Sequence, residues 1–142
     1  MSTLKNSIRH LVVALSFIIS LLGSFAIYAM GRPSIDLAMG NNEIIVEIDI
    51  DCERCYLHEQ ASLQGFLTFY NKNGGEPKII PVDELIDVPP YTRVRKSMSL
   101  VRIPTYHPYS RVKVDVTLSG DDVGLFSTKR VQSQISRIYP LQ

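Results

Sequence analysis

Two segments of the chain alternate apolar and polar residues with a period of two, broken only at Ile45. Glu43–Asp51 reads EIIVEIDID, and Arg111–Ser119 reads RVKVDVTLS. In an extended chain this places the apolar side chains on one face and the charged or hydroxyl side chains on the other. The pattern is typical of strands in an antiparallel sheet that buries one face and exposes the other. We therefore expect the core of the fold to form on such a sheet.

Further short segments between and after these two also favour strands. They are Leu63–Tyr70, Lys78–Val82, Thr92–Ile103 and Val123–Gln132. Asn71–Gly75 is a hairpin signal and Gly120–Asp122 a tight-turn signal, whereas no stretch after residue 30 has a helical stripe. The sequence predicts an all-β fold, a small immunoglobulin-like antiparallel β-sandwich of about seven strands over residues 43–138. Gly31–Asn42 is expected to be a linker.

Two tyrosines favour the immunoglobulin-like arrangement. Tyr106 and Tyr109 stand just before the strand RVKVDVTLS. A tyrosine in that position fixes the corner between two sheets by a hydrogen bond to the backbone. The alternative is that both rings simply pack over a proline-rich loop. The absence of tryptophan and of a long-range cysteine pair excludes the antibody type of domain.

The amino terminus has the pattern of an export segment. Met1–His10 carries Lys5 and Arg9, and Leu11–Met30 then runs for twenty residues without a charge. Twenty helical residues cover about 30 Å, the thickness of a bilayer core. Positive charge before an apolar segment keeps the amino terminus in the cytoplasm and directs the remainder across the membrane. Residues 1–30 are expected to be either a cleaved signal peptide or an anchor in the inner membrane, with a periplasmic or other extracytoplasmic domain after them.

Charge is divided unequally between the two halves of the chain. Asp36–Asp87 contains eleven acidic and three basic residues, and Val88–Gln142 contains nine basic and three acidic residues. One interpretation is that neighbouring strands pair their charges across a sheet. The other is a basic face that attracts an acidic protein partner. A net charge of +1 does not indicate a nucleic-acid partner. The candidate partner-binding residues are Arg93, Arg95, Lys96, Arg102, Arg111, Lys113, Lys129 and Arg130.

The only reactive pair of side chains is Cys52 and Cys55. In an exported protein this spacing suits a structural disulfide, a redox pair or half of a metal site. Tyr56 in place of histidine excludes a c-type haem attachment. A metal site would recruit His58, with His107 or Met98, as further ligands. The favoured interpretation is a local disulfide or idle thiols, with no metal and no cofactor.

Motifs of enzyme chemistry are missing from the chain. It contains no Gly-x-Ser-x-Gly, no His-Glu-x-x-His and no phosphate-binding glycine loop. Asp83 and Glu84 are adjacent and point to opposite faces of any strand, so they do not form a catalytic carboxylate pair. The protein is therefore predicted not to be an enzyme.

The order of these features resembles the periplasmic curli-assembly proteins. An alternating strand (IIVEIDID) leads to closely spaced cysteines, a glycine-rich hairpin (NKNGG), the segment SMSLVRIP and the strand SRVKVDVTLSGDD. The resemblance covers Glu43–Val131. This chain departs from the family in having two residues between the cysteines where the family has one. It is also longer around His58–Ser62 and Asp83–Pro90.

The resemblance implies an immunoglobulin-like chaperone that prevents premature polymerisation of an amyloid fibre subunit. The implied partner is that subunit or another envelope protein. Two alternatives stay open. One is a membrane-anchored structural subunit of a pilus or secretion assembly, and the other is a thiol- or metal-handling protein that uses Cys52 and Cys55.

Overall fold

The computed structural model describes residues 2–25, 30–123 and 128–142, with the backbone alone described for residues 2 and 20–25. One helix precedes seven strands. They are α1 (Ser2–Phe25), β1 (Ser34–Gly40), β2 (Glu43–Cys52), β3 (Glu59–Asn71), β4 (Lys78–Val88), β5 (Thr92–Arg102), β6 (Tyr109–Val123) and β7 (Thr128–Pro140).

The strands form two antiparallel sheets. The first sheet has the order β1-β2-β5, and the second has the order β4-β3-β6-β7. The second sheet brings β3 beside β6 although β4 and β5 intervene in the chain, so its central pairing is a long-range one. The predicted all-β class, the number of strands and the amino-terminal helix are confirmed.

The two alternating segments occupy the centres of the two sheets. In β2 the side chains of Ile44, Val46, Ile48 and Ile50 are buried. In β6 the same is true of Val112, Val114, Val116 and Leu118. Burial of each such aliphatic side chain contributes about 1.5–3 kcal/mol relative to leaving it exposed. The core therefore lies between the two sheets, and its largest contribution comes from strands that the period-two pattern identifies.

The predicted linker Gly31–Asn42 is wrong, because it contains β1. This strand pairs with β2 from Ser34 opposite Asp49 to Gly40 opposite Glu43, and its Leu37 is 3% exposed. The segment alternates Ile35, Leu37 and Met39 with small or polar residues, but it is short and lies among glycine, proline and asparagine, which obscure its strand character. Pairing with β2 supplies the backbone hydrogen bonds that so short a strand needs.

The predicted tight turn at Gly120–Asp122 is also wrong, because β6 continues to Val123. Gly120 pairs with Ala61 of β3 and with Val131 of β7. The sulfur of Met30 lies 3.2 Å from where a Cβ on Gly120 would be, so this glycine makes room for a buried side chain. The predicted strand Val123–Gln132 is displaced, since β7 begins at Thr128, and residues 124–127 lie outside the described residues.

The hairpin prediction between β3 and β4 is confirmed. Gly74 and Gly75 have positive φ angles of 75° and 97°, which glycine adopts without steric cost. Beyond the turn, β3 pairs with β4 from Phe69 opposite Lys78 to Glu59 opposite Val88. The stretches around His58–Ser62 and Asp83–Pro90 therefore extend this pair of strands.

The helix α1 stands apart from the sandwich. All side chains described in it, from residue 3 to residue 19, are exposed. A search of the described residues finds no helix of the length and apolarity needed to cross a membrane. The predicted apolar segment Leu11–Met30 lies partly outside the described residues, and its role as a membrane span is not confirmed.

Replacement of Gly65 by alanine tests whether the fold depends on the close approach of the β3 and β6 backbones. A Cβ on Gly65 would lie 1.9 Å from the backbone oxygen of Asp115, so β3 and β6 would have to separate. We expect Gly65→Ala to lower the free energy of unfolding by about 3 kcal/mol or more in urea denaturation. In the matched control, Gly40→Ala, the new Cβ has no neighbour nearer than 3.7 Å. The control should change stability by about 0.5 kcal/mol or less. Equal effects would show that the close approach does not matter.

Candidate functional site

The eight candidate basic residues are not brought together on one face. Arg93, Arg95, Lys96 and Arg102 lie on β5 in the first sheet. Arg111 and Lys113 on β6, with Lys129 and Arg130 on β7, lie in the second sheet. The outer faces of two packed sheets point in opposite directions. The residues therefore form two separate groups.

The arginines of the first sheet pair with carboxylates on β2. Arg93 and Arg95 both contact the carboxylate of Asp49, at 2.8 Å and 3.3 Å. Arg102 lies 3.4 Å from the carboxylate of Glu43. The hydrogen bonds from Arg93 lower the pKa of Asp49. For these three arginines the structure supports the interpretation that neighbouring strands pair their charges.

The same sheet carries a shallow charged groove of about 430 Å³. The charged side chains of its outer face are Asp36, Glu47 and Asp49 from β1 and β2, and Arg95 from β5. Both signs of charge alternate across it, so it presents no single field to a ligand.

The basic residues of the second sheet have different partners. The guanidinium of Arg111 lies over the ring of Tyr70, 4.6 Å from its centroid. Lys113 contacts Asp115 at 3.3 Å, and Arg130 donates to the hydroxyl of Ser119 at 3.3 Å. Lys129 is opposite the buried Asp122 in the pairing of β6 with β7. Arg111 combines an exposed charge with an aromatic ring, an arrangement common in protein interfaces.

A disulfide joins Cys52 and Cys55, as the favoured interpretation predicts. Both residues are buried, at 0% and 2% exposure, and their Cα atoms are 5.0 Å apart. Within the described residues there is no free cysteine and no group of three or more metal-ligating side chains. His58 contacts Asp87, and the ring nitrogen Nδ1 of His107 accepts a hydrogen bond from the backbone of Tyr109. The two histidines are thus engaged away from the cysteines.

The predicted corner tyrosines have unlike surroundings. Tyr109 packs against Phe69 with ring centroids 4.9 Å apart. Tyr106 is 94% exposed. Tyr109 is thus packed against β3, and the role of these tyrosines at a corner between the sheets stays a prediction.

Sequence reasoning misses an aromatic surface beside the disulfide. Tyr56, Leu57 and Tyr91 are 70%, 55% and 63% exposed, and we call these three residues the aromatic tip. The rings of Tyr56 and Tyr91 meet edge to face with centroids 6.1 Å apart. The two tyrosines are 35 positions apart in the sequence, so only the pairing of strands brings them together.

Sequence reasoning also misses a buried pair of carboxyl groups. Glu59 at the start of β3 is 6% exposed, and Asp122 near the end of β6 is 3% exposed. Continuing the pairing of Ala61 with Gly120 by two residues places Glu59 beside Asp122. The Oδ1 atom of Asp122 has no hydrogen-bond partner. Burial raises the pKa of Glu59, and the charges of Asp122 and Asp121 add to that effect, while a backbone hydrogen bond from Val123 opposes it.

Comparison with known proteins adds no relative. No family model, no curated protein and no solved structure matches the chain.

Replacement of Glu59 by glutamine tests the buried pair. When folding raises the pKa of a carboxyl group, its contribution to stability is fully present at a pH below the pKa of the group in the unfolded chain. This contribution is lost as the pH rises through the pKa of the group in the folded protein. The ordinary pKa of a glutamate is 4.5. We expect Glu59→Gln to be more stable than the native protein at neutral pH, with the difference vanishing toward pH 4.5 in urea denaturation series. The control Glu76→Gln removes one charge from an exposed turn. A pH-independent difference for Glu59→Gln would contradict the assignment.

Proposed function

We propose that the chain is an exported, non-enzymatic binding module that prevents premature polymerisation of an amyloid fibre subunit of the cell envelope. The two sheets have four edge strands, β1, β5, β4 and β7. The proposal rests on the observation that three of these, β1, β4 and β5, carry features that oppose pairing with a further strand. A protein that meets growing strands needs such protection, because an open sheet edge is a template for strand pairing.

The strand order supports an immunoglobulin-like sandwich as the scaffold. Labelled in chain order as A, B, C, C′, E, F and G, the strands give the sheets A-B-E and C′-C-F-G. This is the division of strands between two sheets that immunoglobulin-like domains use. An immunoglobulin-like scaffold is also what the resemblance of the sequence to the curli-assembly proteins implies.

The edge strand β5 carries a charge at an inward-facing position. Lys96 pairs with Ile48, whose side chain is buried in the core at 2% exposure. The side chain of Lys96 is nevertheless exposed, between the half-buried Val94 and Met98. A strand added to β5 would have to cover this ammonium group. Inward-pointing charges on edge strands are a known protection against such pairing.

The edge strands β4 and β1 are protected in other ways. Pro81 lies in the middle of β4 and is exposed, and proline lacks the backbone N–H that a ladder needs. Arg137 of β7 donates a 2.6 Å hydrogen bond to the carbonyl oxygen of Leu37 in β1. It also contacts Asp36 at 2.9 Å. A backbone acceptor of β1 is thereby occupied by a side chain of the other sheet.

Two features support export. The disulfide between Cys52 and Cys55 is of the kind that persists in oxidising compartments such as the periplasm. Lys5 and Arg9 precede the apolar part of α1, as in segments that direct a chain across the inner membrane. We propose that α1 acts as the export segment.

The proposed function predicts a delay in fibre formation. The oxidised protein at a sub-stoichiometric ratio should lengthen the lag time of a curli-type subunit beyond the lag seen with an unrelated sandwich domain. The measurement is thioflavin fluorescence against time. An unchanged lag would remove the chaperone function.

Matched pairs of variants then locate the charged contact. Because Arg93 and Arg95 are paired with Asp49, replacing both by glutamine should leave the lag extended. Replacing Arg111 and Lys113 by glutamine should shorten it, since the exposed guanidinium of Arg111 lies over the ring of Tyr70, and Lys113, which is 3.3 Å from Asp115, lies two residues along the same face of β6. Equal effects from the two pairs, at low and high salt, would exclude a contact specific to the second sheet.

Removal of the inward charge on β5 tests the edge protection. We expect Lys96→Val to let the protein associate with itself or enter fibres, because a β-branched apolar residue at that position completes a flat edge. Sedimentation of the variant alone measures its self-association, and sedimentation with the fibre subunit measures its entry into fibres. Lys72→Val, at the exposed hairpin between β3 and β4, is the control for loss of one charge. If Lys96→Val stays monomeric and outside fibres, the edge explanation is wrong.

A further inference from the structure

We infer that the aromatic tip of Tyr56, Leu57 and Tyr91 is a lipid-binding surface that lies against the membrane from which the domain emerges. The inference rests on the proposed export and on α1 staying attached to the domain. It assigns a role to residues that the fibre-inhibiting function does not use.

The tip is held rigidly. The disulfide closes the turn from Cys52 to Cys55, and the backbone N–H of Cys55 donates to the carbonyl of Cys52 at 3.0 Å. The backbone N–H of Tyr91 donates to the carbonyl of Cys55 at 3.1 Å, which joins the two loops. Rigid aromatic side chains lose little conformational freedom on binding.

Tyr91 also has a strained backbone. Its φ angle is +57°, a region that bulky residues rarely adopt. The hydroxyl of Thr92 donates to the carbonyl of Pro89 at 2.7 Å and stabilises the turn around it. Such strain persists where the surroundings impose it, and it is concentrated at binding sites. Here it holds an exposed ring beside Tyr56.

The tip lies at the end of the sandwich where the chain from α1 enters. The backbone N–H of Gly31 donates to the carbonyl of Asp51 at 3.0 Å. From Asp51 to Tyr56 the Cα–Cα distance is at most about 13 Å, since the disulfide holds Cys52 and Cys55 5.0 Å apart. Only four residues separate the end of α1 from Met30, which is buried in the sandwich. The end of the sandwich that carries the tip is therefore joined to α1 by a short length of chain.

The exposed side chains of α1 indicate a lipid surface. Leu11, Val12, Val13, Leu15 and Phe17 are each at least 57% exposed and lie on several sides of the helix. Apolar side chains on several sides of a helix are stable only where water is excluded, and the sandwich does not cover those of α1. A lipid surface accommodates this part of α1 and offers tyrosine rings the interface that they prefer. The inference requires α1 to hold the domain at that surface.

The charges around the tip favour apolar insertion over electrostatic attraction. Asp51 and Glu53 are exposed beside it, and Arg54 is the single exposed cation in the turn. This local balance does not attract anionic head groups. Contact through the tip should therefore be insensitive to ionic strength, unlike the binding of a basic patch.

The test places the full oxidised chain on bicelles of phosphatidylcholine with a minority of phosphatidylglycerol. A nitroxide on the lipid head group broadens the NMR signals of protein groups near it. We expect loss of signal intensity at Tyr56, Leu57 and Tyr91, at low and high salt alike. Phe66 and Ile79 are the internal controls, because both are more than half exposed on the outer face of the second sheet.

A double variant sharpens the test. Tyr56→Ser with Tyr91→Ser should restore the intensity at Leu57 while α1 stays broadened, and Phe66→Ser should leave Leu57 broadened. If the signals of α1 are broadened but those of the native tip are not, the tip does not contact lipid, and the proposal of export by α1 still stands. Tip signals that change with protein concentration without lipid would mean self-association, and they too would overturn the inference. Fibre inhibition is measured separately without lipid, so its failure is distinguishable from failure of the tip.

Discussion

The shared core between the two sheets, to which the aliphatic faces of β2 and β6 contribute most, is the interaction on which the rest of the structure depends. Each strand presents four fully buried aliphatic residues to the other sheet, and the remaining strands are added at their sides. The close approach of β3 to β6 at Gly65 completes the second sheet beside this contact. The apolar inner faces of the two sheets cover one another. The charges and exposed aromatic rings therefore lie on the outer faces and at the loop ends, where a partner could contact them.

Much of the scaffold follows from local sequence signals. The period of two in β2 and β6 and the glycine pair between β3 and β4 each predict the element that the structure contains. The failures have different physical causes. β1 does alternate, with Ile35, Leu37 and Met39 on one face, but it is short and bordered by glycine and asparagine, so its pattern resembles a linker until it pairs with β2. Gly120 reads as a turn although it serves to admit Met30, and there a tertiary contact overrides a weak local preference.

The candidate sites divide in the same way. The charge asymmetry between the halves of the chain is visible in the sequence, yet only the pairing of β2 with β5 shows that Asp49 takes up both Arg93 and Arg95. The edge protections are distributed similarly. Pro81 is recognisable as an obstacle to strand addition, whereas Lys96 acquires that role from its position opposite Ile48.

By itself the sequence determined the all-β class, the two strands that form the core, the amino-terminal helix and the proximity of Cys52 to Cys55. These properties depend on residues close together in the chain, where periodicity and spacing restrict the geometry. Only the tertiary structure decided which strands are edges, which charges are paired, that Glu59 and Asp122 are buried together, and that Tyr56 meets Tyr91. Those relations join residues that are far apart in sequence, and they are set by the register of long-range strand pairing, which no local pattern encodes.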